Sequence, residues 1–352
     1  MTSGDSTAVA YDEPGDTPEP PVITLIGADL PHAYLDEAEP SPLMNDISNF
    51  FGRIGTFAKM LIVIALVGGY PTMVVAAHRI NVNPVVLPQE TPWASRETGT
   101  MLTLLGRELT GGGWASDRSG WHPQARLTAL PAWQDGMISA LSDQATLMAG
   151  FASTAAGPDQ DLQAGARLLV PSSDGRATPR LNAAAEALQR YDGRLSRGLA
   201  VPIVSQDFLT AEIDLYADWF SGSSAALSVR VGKAEGWPAA SADIQTIYLT
   251  RARAHVATEM LNATLLSDTD LVHARDAAEA RDSAMLALRR VAEFNPILIS
   301  SQAGSNRFLA DHTATMAFYS ESASRALIEF STAIGAQAEA DDVAIAAATE
   351  TQ

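Results

Sequence analysis

Residues 60–77 read MLIVIALVGGYPTMVVAA, eighteen positions without a charge, bracketed by Lys59 and by His78-Arg79. A hydrocarbon core about 30 Å thick takes about 20 helical residues, with about 17 the lower limit. The run just suffices, and Phe57 and Ala58 lengthen it. It reads as one transmembrane helix, because no other stretch joins this length to this apolarity. Gly68, Gly69 and Pro71 are tolerated in membrane helices, where neighbouring groups satisfy the freed backbone. Pro71 removes a hydrogen bond and predicts a kink near residues 67–71. Ala65 and Gly69 form a small-x3-small pair that permits close approach of a second copy, and so a homodimer through the span. The run begins too far into the chain for a cleaved signal peptide, which occupies about the first 15 to 30 residues.

Working outward, residues 1–45 are rich in Pro, Asp and Glu with no apolar period, which predicts a disordered acidic tail. Within 46–59, Ile47, Phe50, Phe51, Ile54 and Phe57 alternate with polar residues, as in an amphipathic juxtamembrane helix. Residues 78–92 hold Pro84, Pro88 and Pro92 and read as an extended linker. Helical spacings then recur over about 95–110, 132–154, 179–197, 205–234, 240–266, 268–294 and 305–334. Residues 155–178 read as a loop broken by Gly157-Pro158 and Pro171. Gly335 closes the last helix, and 336–352 reads as a disordered tail. The fold class is therefore all-α: one transmembrane helix followed by an antiparallel helical bundle over 93–335.

The 352 residues carry 41 acids against 23 bases, a formal charge of −18. Such a surface repels phosphate backbones and excludes nucleic acid as a partner. With no cysteine, disulfides, thiolate catalysis and thiolate metal sites are excluded. A long C-terminal domain behind an uncleaved span places the N-terminal tail in the cytoplasm and the helical domain in the periplasm, at the inner membrane.

No catalytic, cofactor-binding or metal-binding constellation stands out. None of the six histidines lies in His-x3-His or His-Glu-x2-His spacing, and no Gly-x-Ser-x-Gly occurs. His255 and His312 each sit near an apolar helical seam, where a core role and a shared metal are both conceivable. Gly111-Gly112-Gly113 lacks the Lys and Ser/Thr of a phosphate loop. Trp114, Trp121 and Trp133 cluster around an irregular segment soon after the linker. They plug the membrane-proximal end of the bundle, sit at the membrane interface as an aromatic anchor or, with Asp117, Arg118, Asp135 and His312, line an interaction groove.

Three local stretches carry a family resemblance. The first is Gly112-Gly113-Trp114-Ala115-Ser116-Asp117-Arg118 followed by Leu130-Pro131-Ala132-Trp133-Gln134-Asp135-Gly136. The second is Leu169-Val170-Pro171-Ser172-Ser173 ahead of Ala187-Leu188-Gln189-Arg190-Tyr191. The third is Asn295-Pro296-Ile297-Leu298-Ile299, then Phe308-Leu309-Ala310-Asp311-His312 through Met316-Ala317-Phe318-Tyr319. Their order over about residues 55–335 resembles the bacterial domain-of-unknown-function 2333 family of single-pass membrane proteins. Ala132, Arg307 and Asp311 depart from its pattern. The resemblance implies a single span and a helical outer domain, and it implies no activity. The expected function is a non-catalytic envelope scaffold that binds a protein partner. The alternatives are an enzyme acting on an envelope polymer or lipid, and a ligand-sensing membrane protein.

Overall fold

The computed structural model describes residues 54–69, 72–73, 80–88, 91–120, 122, 124, 127–172, 175–203, 205–231, 239–267, 277–296, 299 and 311–350. The chain divides into two compact units, residues 1–61 and 62–352. Helix α1, residues 54–64, straddles that boundary and passes into a π-helical turn at Ala65–Gly69. Pro71 has no N–H to offer the carbonyl four residues back, and the widened turn falls where such a loss is accommodated. The Thr72 hydroxyl reaches back to the Gly68 and Gly69 carbonyls. Among the described residues no helix is long and apolar enough to cross a membrane. The rest of the predicted span, Tyr70, Pro71 and 74–77, lies outside them, as do residues 78–79 of the predicted linker, the tail over 1–45 and residues 46–53.

The second unit is all helix among its described residues, with no strand and one isolated bridge between Thr154 and Gly157. Its bundle comprises α2 (Arg96–Gly111), α3 (Ala129–Phe151), α4 (Gln160–Leu168), α5 (Ala177–Leu195), α6 (Gln206–Val231), α7 (Ser241–Ser267), α8 (Ala278–Ala292) and α9 (His312–Glu350). Helix α4 falls in the segment predicted as a loop. The side chain of Asp159 caps it by accepting from the Asp161 and Leu162 amides, and Leu162 and Ala166 are buried. Nine residues make too short a period to stand out between Gly157-Pro158 and Pro171. The last helix also differs from expectation. Its cap is Asp311, whose carboxylate accepts from the Ala314 amide at 2.9 Å. It then runs through Gly335 to Glu350, so residues 336–350 are helical. An interior glycine costs about 1 kcal/mol, which the alanine-rich sequence around it offsets.

Helix α7 is the axis of the bundle. It packs against α2, α3, α6, α8 and α9, while α6 and α9 pack along each other. From Thr250 to Thr264 every side chain except Arg253, Asn262 and those flanking the ends is buried. A helix enclosed all round needs close neighbours, and short side chains at Ala252, Ala254, Ala257 and Ala263 allow them. The tightest approach is to α3. A Cβ placed on Gly136 would stand 2.8 Å from Leu249 Cα and 3.0 Å from Ala252 Cβ.

Enclosure also buries polar groups, which must find partners. Arg251 is 2% exposed. Its guanidinium lies over the rings of Tyr248 at 4.9 Å and Trp133 at 5.8 Å. It donates to the Ala292 carbonyl at 3.3 Å and to Asn295 Oδ1 at 3.1 Å, so a cation closes the carboxyl end of α8. Across α3 and α6, Gln144 donates to Glu212 Oε1 at 2.7 Å, and the Tyr216 hydroxyl lies 2.8 Å from the same oxygen. Burial pushes the Glu212 carboxyl up to about 7. The Thr264 and Tyr216 hydroxyls pull the other way, and the Glu97 charge adds to the rise.

Three substitutions test this packing and burial. Gly136→Ala, forced onto a backbone that cannot move alone, should lose about 1–3 kcal/mol in chemical denaturation. Gly106→Ala, with nothing within 4 Å of its Cβ, should be neutral or stabilising by up to about 1 kcal/mol. For Glu212, the native state keeps its proton up to about pH 7, whereas the unfolded chain releases it near 4.5. Its contribution is therefore complete below pH 4.5 and lost as pH rises toward 7, by about 3 kcal/mol. Glu212→Gln should remove that fall, read as the wild-type-minus-variant stability difference from pH 4.5 to 8.

Candidate functional site

Residues 80–88 cross the bundle as an extended strap. Ile80, Val82 and Leu87 pack on the core and Val85 is buried, while Asn81, Asn83, Pro84, Val86 and Pro88 face out. The prolines keep this segment out of helix, and main-chain bonds hold it down. The Val85 amide donates to Glu259 Oε2 on α7 at 2.7 Å. Arg107 on α2 donates through Nη1 to the Asn83 carbonyl at 2.7 Å and through Nη2 to the Pro84 carbonyl at 2.9 Å. Asn83 N–H in turn donates to Asn81 Oδ1 at 3.0 Å, an Asx turn.

A cleft opens on either side of the strap. One, of about 540 Å3, lies toward Arg107, Glu108 and Gln134. The other, of about 310 Å3, lies toward His255, Glu259 and Arg289. A buried chain of contacts joins them. Trp133 Nε1 donates to Glu108 Oε1 at 3.2 Å, and Gln134 Nε2 donates to Glu108 Oε2 at 3.1 Å. The Trp133 ring stacks on His255 with centroids 5.7 Å apart. His255 Nδ1 stands 3.9 Å from Glu259 Oε1, too far for a hydrogen bond, and its Nε2 is buried with no partner among the described residues.

Burial governs the charges here. It lowers the His255 imidazole to about 4, and the Arg107 charge lowers it further, so the ring is neutral at physiological pH. It raises the Glu108 carboxyl against the hydrogen bonds from Gln134 and Trp133. It also raises Glu259 against the Val85 amide and the charges of Arg107 and Arg289. The cleft thus offers a neutral imidazole, a carboxyl of elevated pKa and a guanidinium. The Thr258 hydroxyl beside them is committed to the Ala254 carbonyl at 2.8 Å. These are groups that can hydrogen-bond or pair with a polar ligand, and among the described residues lining the cleft none is an activated nucleophile.

The residues singled out from sequence are dispersed. Trp114 is 3% exposed and Trp133 is 0% exposed, so both rings are packed inside. Gln134 fastens the turn at Trp114 by accepting from Ala115 N at 2.9 Å. The Asp117 carboxylate accepts from the Ala177 and Thr178 amides at 2.7 Å each and caps α5 from a distance. Burial tends to raise its pKa, but these bonds and the Arg180 charge hold it below the usual range. Arg118 donates to the Gly112 carbonyl at 2.8 Å. Burial raises the half-buried Asp135, with Arg180 opposing. His312 begins α9, its ring 5.9 Å from that of Phe294. Trp121 lies outside the described residues. His255 and His312 are each engaged with an aromatic ring of their own. Among the described residues no three His, Asp or Glu side chains stand close enough to share a metal ion.

No family model, curated protein or solved structure matches this chain.

His255 gives a sign opposite to that of Glu212. The unfolded chain takes up its proton near pH 6.5, while the native ring refuses it to about 4. Its contribution is whole above 6.5 and lost as pH falls, by about 3 kcal/mol at pH 4. His255→Gln forfeits the stack on Trp133 at every pH. Denaturation from pH 7 to 4 should show the wild type losing about that much more than the variant.

Proposed function

We propose that this chain is a membrane-anchored, non-catalytic binding protein of the cell envelope, with residues 60–77 as its span. One observation carries the reading. Met60, Leu61, Ile62, Val63 and Ile64 are consecutive, helical and each more than half exposed. Five successive residues at about 100° apiece pass all round a helix, so this stretch of it has no polar face. Water stabilises no such surface at full length, and a bilayer does. The resemblance to the domain-of-unknown-function 2333 family agrees with a single span and an outer helical domain.

On this reading the acidic tail lies in the cytoplasm and the bundle in the periplasm, where a protein partner meets it. The clefts beside the strap favour binding over turnover, because their polar groups lack a nucleophile. A second copy can meet the first through Ala65 and Gly69 within the bilayer. The test is fractionation of cells expressing the full chain. It should stay with membranes washed at alkaline pH, and a chain lacking residues 60–77 should move to the supernatant. Full-length protein in the supernatant without detergent would overturn the proposal.

A further inference from the structure

The smaller cleft beside the strap has a more definite chemistry than its size suggests. Its buried floor is His255, 2% exposed, and Glu259, 6% exposed. Arg289 and Glu293 stand at its mouth, both on solvent-facing positions near the end of α8. Val82 of the strap and Met285 of α8 supply apolar wall. No hydrogen bond or ion pair fastens Arg289 to another described residue, although its charge is felt at Glu259. A floor carboxyl and, four residues apart at the mouth, Arg289 and Glu293 thus line about 310 Å3, a volume at the small end of ligand sites.

Each charged group excludes one class of ligand. A simple anion meets Glu259 and Glu293 as well as Arg289. A simple cation meets Arg289, with Arg107 behind the floor. A molecule carrying both charges satisfies both ends at once. The unpartnered Nε2 of His255 adds a polar contact that the described residues leave unmade, and a buried polar atom without a partner costs about 1–3 kcal/mol. We infer that this cleft binds a small zwitterion of α-amino-acid type, its ammonium toward Glu259 and Glu293 and its carboxylate toward Arg289. The side chain of such a ligand rests on Val82 and Met285. Because Val82 belongs to the strap, and Glu259 holds the strap by the Val85 amide, occupancy is felt by the segment that follows residues 60–77. The inference rests on the binding-protein reading above but not on membrane anchoring.

The experiment is isothermal titration calorimetry on the full chain in mild detergent at pH 7. The probes are glycine, L-serine and L-leucine, with acetate and methylamine as half-ligands. At least one amino acid should bind, and acetate and methylamine should bind at least about tenfold more weakly. Arg289→Gln changes an exposed side chain and should weaken that binding at least about tenfold. Arg290→Gln, its exposed neighbour outside the cleft, should leave it unchanged. Absence of heat with all three amino acids at millimolar concentration would overturn the assignment. So would binding that Arg289→Gln leaves intact, or acetate binding as tightly as glycine. A failure here leaves the fractionation result untouched, so the two proposals fall separately.

Discussion

The bundle depends on enclosing α7 on every side. Enclosure demands short side chains where helices cross, met by Gly136 against Leu249 and by the alanines of α7. It also demands partners for whatever polar groups go inside. Arg251 finds them in two aromatic faces and the carboxyl end of α8. Glu259 finds one in a backbone amide of the strap. His255 finds a ring to stack on, and its Nε2 finds no partner. The candidate site is therefore a by-product of how a polar helix is buried, concentrated where the enclosure is incomplete.

Burial sets opposing demands on protons. Glu212 favours its neutral acid form and is most at home at low pH, whereas His255 favours its neutral base form and is most at home at high pH. Between about pH 4.5 and 6.5 the two slopes oppose each other. The net profile of the wild type can be nearly flat there while each group contributes strongly.

Much of the architecture was legible because amphipathic period and cap signals are local. Ser95 caps α2, accepting from Thr98 at 3.1 Å, where the pattern starts that helix. The spacing of Leu181, Leu188 and Tyr191 marks the buried face of α5. Helix α4 was lost because its two buried apolar side chains, Leu162 and Ala166, make barely more than one turn. The end of α9 was misplaced because Gly335 stops helices only where the following residues give it reason to. The site was almost wholly illegible. Its groups come from residues 83–85, 107–108, 133–134, 255–259 and 289, and the Val85–Glu259 bond joins positions 174 apart. Trp133 stands out in the sequence as either a packed or a groove-lining residue, and its place in a layer between the two clefts, bonded to Glu108 and stacked on His255, depends on contacts far apart in the chain. The four-residue interval from His255 to Glu259 was the one local signal, and it resembles any pair on a helical seam.

The strap's attachment has a mechanical consequence. It is gripped through its peptide groups, by a carboxylate on the central helix and a guanidinium on α2, as well as by the packing of Ile80, Val82, Val85 and Leu87. Tension applied upstream of residue 80 is delivered straight to the middle of the protein, a rigid load path rather than a slack tether.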